Sequence, residues 1–141
     1  RESFEIGGST SPEPYAPKRL HQIGLFSPES GWLHLRPVPE VFDPKDAAES
    51  IDHEIVQRQL FERVFGISEA GDERLAFVGA TRDAGWLQAQ VESGLAAYAV
   101  TLPAVTMTQF IEVCRQNKMM PPKSTWFEPK IRSGLVMALL D

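Results

Sequence analysis

Two apolar runs, residues 22–26 and 32–36, bracket the pentapeptide Ser27-Pro28-Glu29-Ser30-Gly31. Strand-forming runs separated by a short loop rich in Ser, Pro and Gly specify a β-hairpin. This constrains the fold more than any other feature, because an isolated hairpin is unstable in water and obliges the chain to supply further strands or a covering helix. Pro37 and Pro39 close the second strand, since proline cannot donate to a ladder. With 141 residues, 43% of them hydrophobic and 23% charged, the chain can build one core without staples. Its single cysteine, Cys114, excludes an intrachain disulfide and fits a reducing compartment.

Downstream, residues 43–65 carry Ile55, Val56, Leu60, Phe61, Val64 and Phe65 at three- and four-residue spacings. That periodicity predicts one helix, or two short ones, stopped at Gly66. Residues 75–80 read as an apolar strand, 83–93 as a helix stopped by Gly94, and 96–102 as a second strand. Strand, helix and strand with brief connections predict a parallel βαβ unit. Thr106 with Gln109 forms a capping box for a helix whose apolar stripe is Met107, Phe110, Ile111 and Cys114. Residues 124–127 and 135–139 read as two closing strands. The expected fold class is therefore α+β, or α/β: a mixed sheet with an N-terminal hairpin, a βαβ unit, a further helix and two C-terminal strands. Residues 1–19, rich in Gly, Ser and Pro, read as a flexible arm or linker, and residues 20–141 as a single domain.

Strong catalytic signatures are missing from the sequence: it has no phosphate-binding loop, no G-x-G-x-x-G, no C-x-x-C, no H-E-x-x-H and no G-x-S-x-G. His53-Glu54 lacks the second histidine of a zinc face, so a structural or surface role is expected for His53, and the pair His21 and His34 is a poor metal candidate. Cys114 reads as a small core residue rather than a thiolate nucleophile. The turn Gly79-Ala80-Thr81-Arg82-Asp83, entering a helix, is a weak candidate for holding an anion.

The informative stretch is Met120-Pro121-Pro122-Lys123-Ser124-Thr125-Trp126-Phe127-Glu128-Pro129-Lys130-Ile131-Arg132-Ser133-Gly134-Leu135. From residue 115 to 133 five basic side chains face one acid, Glu128, inside a chain of net charge -5. Lysine and arginine supply charge-assisted donors for phosphate or carboxylate, and hydroxyls can contact the same oxygens. Lys123, Ser124, Thr125, Lys130 and Arg132 are the candidate anion-binding residues. Lysines beside a strand also serve to block edge pairing, and that structural alternative stays open. No catalytic residue and no metal ligand set is assigned.

The same run, continuing to Ser133-Gly134-Leu135, resembles the closing signature M-P-x-K-S-T-x-F-x-P-K-x-x-S-G-L of the prokaryotic domain-of-unknown-function family "one-zero-one-five". The hairpin with Trp32, the Phe65-Gly66-Ile67 helix end, Phe77-Val78-Gly79 and Leu102-Pro103 are similar too, so the resemblance covers the chain from about Leu20 onward. It implies the C-terminal part of a longer protein, and a chain that opens on Arg1 fits that expectation. It also implies an N-terminal region with an Asp-Gly-His-His-Arg motif, absent here, and with it a nucleotide and magnesium in the full-length protein; no cofactor is expected in this part alone.

Two functions follow as expectations. One is a C-terminal accessory domain of a cytoplasmic metabolite phosphotransferase, contributing an anion or phosphate site and inactive alone. Lys123 and Lys130 would clamp charge, Ser124 and Thr125 would donate hydroxyls, and Arg132 would orient. The alternative is a non-catalytic docking or dimerisation module whose terminal motif is structural. Expected partners are the remainder of the longer chain, with a homodimer and a small anionic metabolite as further candidates; the acidic balance disfavours nucleic acid, and no run is long enough to span a membrane.

Overall fold

The computed structural model describes residues 2–11, 13–69, 71–79 and 81–125. Its centre is the expected hairpin: β2 (Ile23–Ser27) and β3 (Gly31–Pro37) pair antiparallel in the register Ile23 to Leu35 and Phe26 to Trp32. Gly31 takes a φ of 65° at the turn, and Ser27 Oγ accepts the Ser30 N–H at 3.1 Å. β1 (Phe4–Ser11) joins the far side of β3 and β4 (Ala99–Thr101) the far side of β2, giving the order β1-β3-β2-β4. Every pairing is antiparallel.

Side chains of successive strand residues alternate between two faces, and each face receives a helix. On one side Phe4, Ile23 and Leu35 meet Ile55, Val56 and Leu60 of α1 (Asp52–Val56), which runs on as a six-residue π-helical stretch, Gln57–Glu62. On the other, Phe26, Trp32 and Ala99 meet Ala84 and Val91 of α2 (Ala84–Glu92). α3 (Met107–Arg115) packs through Val113 on Ala47 and Ile51, in the segment leading into α1. No helix among the described residues is long and apolar enough to cross a membrane.

Local signals account for the helix ends. Asp83 Oδ1 accepts the Trp86 N–H at 2.8 Å, and Thr106 and Gln109 form the reciprocal capping box. α2 and α3 both stop in Schellman geometry, with Gly94 and Asn117 in the left-handed region.

Several expectations require correction. Residues 4–11 are not an arm: they form an edge strand in which Phe4 is buried and the backbone ladder supplies the pairing that the small residues do not advertise. Among the described residues the expected βαβ unit does not form. Residues 75–79 form no strand, because the chain turns through Asp72 and Arg74 and leaves Phe77 and Val78 exposed. β4 then returns antiparallel to β2, so the sheet of described strands is antiparallel and not mixed. Ser124 and Thr125 lie in and just after a turn, not in a strand, whereas residues 126–127 and the strand expected at 135–139 lie outside the described residues. The stripe on α3 is also rotated: Cys114, Ile111 and Met107 are exposed, and Val113 is the residue that reaches the core.

Gly24 has no room for a side chain. A Cβ there would collide with Thr101 Oγ1 and press on the Tyr15 ring at 2.9 Å and the Trp32 ring at 3.1 Å. Thr101 is not free to move away, since its hydroxyl donates to the Tyr15 carbonyl at 2.9 Å. Gly24→Ala is expected to cost about 1–3 kcal/mol through overpacking, read as a lower urea midpoint at unchanged slope.

Candidate functional site

The first half of the terminal motif forms a strap that holds α3 against α1. Met120 packs on the cluster of Ala47, Ile51 and Val113. Ahead of it, Gln116 accepts the Ala47 N–H at 3.0 Å and donates to the Lys45 carbonyl at 3.0 Å, while Lys118 pairs with Asp46. The Asp46 carboxyl is held below its ordinary range, first by the hydrogen bond from Lys118.

Residues 121–124 then make a β-turn closed by the Ser124 N–H donating to the Pro121 carbonyl at 3.3 Å. Pro122 occupies the second position, and Lys123 the third with a φ of 60°. A type II turn requires positive φ there and favours glycine or asparagine. The buried Ser124 hydroxyl donates to the same Pro121 carbonyl at 2.6 Å. Ser124 therefore serves the turn itself, while Lys123 and Thr125 are exposed and Lys123 makes no ion pair among the described residues. Lys130 and Arg132 lie outside the described residues.

The strap borders an open cleft of about 440 Å³ lined by Asp46, Glu49, Glu54, Arg58, Lys118 and the 119–122 run. Its cations are already engaged: Arg58 reaches Glu49 at 3.0 Å and Glu54 at 3.2 Å, and Lys118 is held by Asp46. Burial pushes the Glu54 carboxyl up, with Arg58 pulling against it. The local excess of positive charge seen in the sequence is thus offset in space by acids from 46–54, and Lys123 is the described cation of the motif that remains open.

The chain matches no family model, no curated protein and no solved structure.

A second arrangement escaped the sequence altogether. Asp52, 3% exposed at its side chain, accepts the His21 backbone N–H with both oxygens, at 3.1 and 3.0 Å, and meets the ring Nδ1 at 3.0 Å. His21 sits at a φ of 60° with its ring against Phe42 at 4.8 Å. The signal available was a polar residue opening a helix, which reads as a cap; nothing in the pattern ties it to a histidine 31 positions earlier. His34 lies elsewhere, stacked on Tyr15 at 3.7 Å, so the structure does not bring His21 and His34 together as a pair. His53 is largely buried, and burial lowers its imidazole pKa. Among the described residues no three His, Cys, Asp or Glu side chains group to hold a metal. At the weak candidate turn, Arg82 lies over the Trp86 ring at 5.2 Å.

Proposed function

We propose that this chain is the C-terminal accessory domain of a longer protein related to family "one-zero-one-five", and that Lys123 presents a cation to a phosphate or carboxylate group of a small metabolite. The observation that carries this reading is the backbone of Lys123. An L-residue in the left-handed region costs about 1–2 kcal/mol, and glycine would remove most of that cost. A lysine at such a position, exposed beside Thr125 and with no ion pair among the described residues, fits a ligand contact better than a structural need. Ser124 then fixes the turn that aims Lys123, and Lys130 and Arg132 would add further charge from the segment that follows. The role is charge stabilisation in a phosphotransferase whose nucleotide and magnesium belong to the rest of the longer protein.

The test separates stability from binding. Lys123→Gly is expected to raise stability by about 0.5–1 kcal/mol, because it relieves the turn. Lys123→Ala keeps the strain and loses only the charge. Inorganic phosphate or phosphoserine should raise the melting temperature of the unsubstituted chain and of neither variant, since a ligand bound only by the native state stabilises it. An equal shift in all three proteins would remove Lys123 from the site.

The docking alternative is favoured by a different observation, the outward stripe of Met107 (65% exposed), Ile111 (43% exposed) and Cys114 on α3. In that reading the stripe packs on the remainder of the longer chain, and Ile111→Lys leaves this domain folded while weakening its association with that remainder.

A further inference from the structure

The contact between His21 and Asp52 does two separable things. Asp52, 3% exposed at its side chain, accepts the His21 backbone N–H at 3.1 and 3.0 Å, and those bonds need no imidazole. The ring is held in addition, through Nδ1 to Oδ1 at 3.0 Å, and its side chain stays 34% exposed. A carboxylate accepts and does not donate, so Nδ1 carries the proton and the lone pair is left on Nε2, at the far edge of the ring. Phe42 packs on that ring at 4.8 Å. The other two histidines are placed differently. His34 Nε2 and His53 Nδ1 are buried without a hydrogen bond, and burial lowers the His53 imidazole pKa.

A cleft of about 600 Å³ flanks the pair. Leu20, which precedes His21, Ser50, two residues before Asp52, and Pro44, two residues after Phe42, all line it. The exposed residues Lys45 and Thr108 add an ammonium and a hydroxyl, both able to donate to phosphoryl oxygens. The acid in the lining, Glu112, is already engaged: Gln116 donates to it at 3.3 Å, and Arg115 lies at 3.8 Å. We propose that His21 Nε2 accepts a phosphoryl group from an acyl phosphate, with Asp52 as the positioning residue. The Nε2 lone pair attacks phosphorus, the P–O bond to the acyl group breaks, and its electron pair leaves on the carboxylate so formed. The new N–P bond gives the ring a positive charge, the Nδ1 proton stays in place, and Asp52 balances that charge from 3.0 Å. The step needs no base and no further reactant. It rests on the phosphotransferase reading only for the group transferred. That reading is scored by a melting shift through Lys123 and this one by a covalent product at His21, so each can fail alone.

Incubation of the whole chain with acetyl phosphate, quenched in alkali and mapped by peptide mass spectrometry, tests it. His21 should gain a phosphoryl group that is lost in acid, at a rate about tenfold or more above the same residue in the urea-unfolded chain. His34 and His53 should react more slowly folded than unfolded. His21→Gln keeps the backbone bonds to Asp52 and should remove the acid-labile product. Asp52→Asn, shown to be folded by circular dichroism, should bring the His21 rate down to that of the unfolded chain. A folded His21 that reacts no faster than the unfolded one overturns the proposal, and this comparison needs no variant to fold. So does an unchanged rate in folded Asp52→Asn, which would leave the carboxylate a purely structural anchor. An acid-stable product would place the phosphoryl group on a hydroxyl, and an acetyl group on His21 would make the imidazole an acyl acceptor; either overturns it as well.

Discussion

Trp32→Ala is expected to lower stability by about 3–5 kcal/mol, the range for emptying a buried aromatic site. Trp32 is fully buried at the point where three elements meet. Its ring packs on Phe26 at 5.2 Å and against the bare backbone of Gly24, and its Nε1–H donates to Gln88 Oε1 of α2 at 2.8 Å. The loss is a large part of the roughly 5–15 kcal/mol that holds a domain of this size together, so the melting temperature should fall by on the order of 10 °C. Trp32→Phe separates the two contributions. It keeps most of the apolar contact and gives up the indole donor, which costs about 1–2 kcal/mol. Urea titrations followed by circular dichroism decide the matter. If Trp32→Ala cost under about 1 kcal/mol, α2 would not be packed on this face of the sheet.

What could be read from the sequence depended on how far apart the interacting residues lie. The hairpin, the Asp83 and Thr106 caps and the stops at Gly94 and Gly66 are decided within a few residues, and their elements appear where the pattern puts them. β1 was hidden because Gly7, Gly8, Ser9 and Thr10 carry little side-chain signal, and its membership is conferred by the free edge of β3. Residues 75–79 misled in the opposite sense. Leu75, Phe77 and Val78 have strand composition, yet a strand exists only where a neighbour supplies a ladder, and the turn at Asp72–Arg74 carries them elsewhere. On α3 the outward stripe is more regular than the buried contact, because Val113 alone reaches the core there while Phe110 and Gln109 are half-buried. Within the terminal motif the residue types were legible but their division of labour was not. Ser124 and Lys123 are adjacent, and only the turn geometry separates a buried hydroxyl bonded to its own backbone from an exposed ammonium.

Asp52→Ala carries the second large effect, an expected loss of about 3 kcal/mol. Two terms contribute. The His21 N–H and ring nitrogen lose a charged acceptor in a largely buried place, and each such group left unpaired costs about 1–3 kcal/mol. The first residue of α1 also loses an acidic side chain beside the unpaired amides of the helix start. Asp52→Asn should cost less but more than nothing: one oxygen still accepts, while the amide NH2 replaces the second acceptor. His21→Gly should be the mildest of the three. It keeps both hydrogen bonds from the backbone N–H, relieves the positive φ, and gives up only the ring contact to Asp52 and the packing on Phe42. The expected order, Asp52→Ala worst, then Asp52→Asn, then His21→Gly, follows from the carboxylate acting mainly on backbone. It would anchor the turn that leads into β2 to the start of the helix 31 residues later. Denaturation midpoints for the three variants and for the Asp52→Ala, His21→Gly double variant measure the coupling directly. A coupling as large as the whole Asp52→Ala loss would assign the anchor to the imidazole instead, because the backbone bonds would then contribute nothing once the ring is gone.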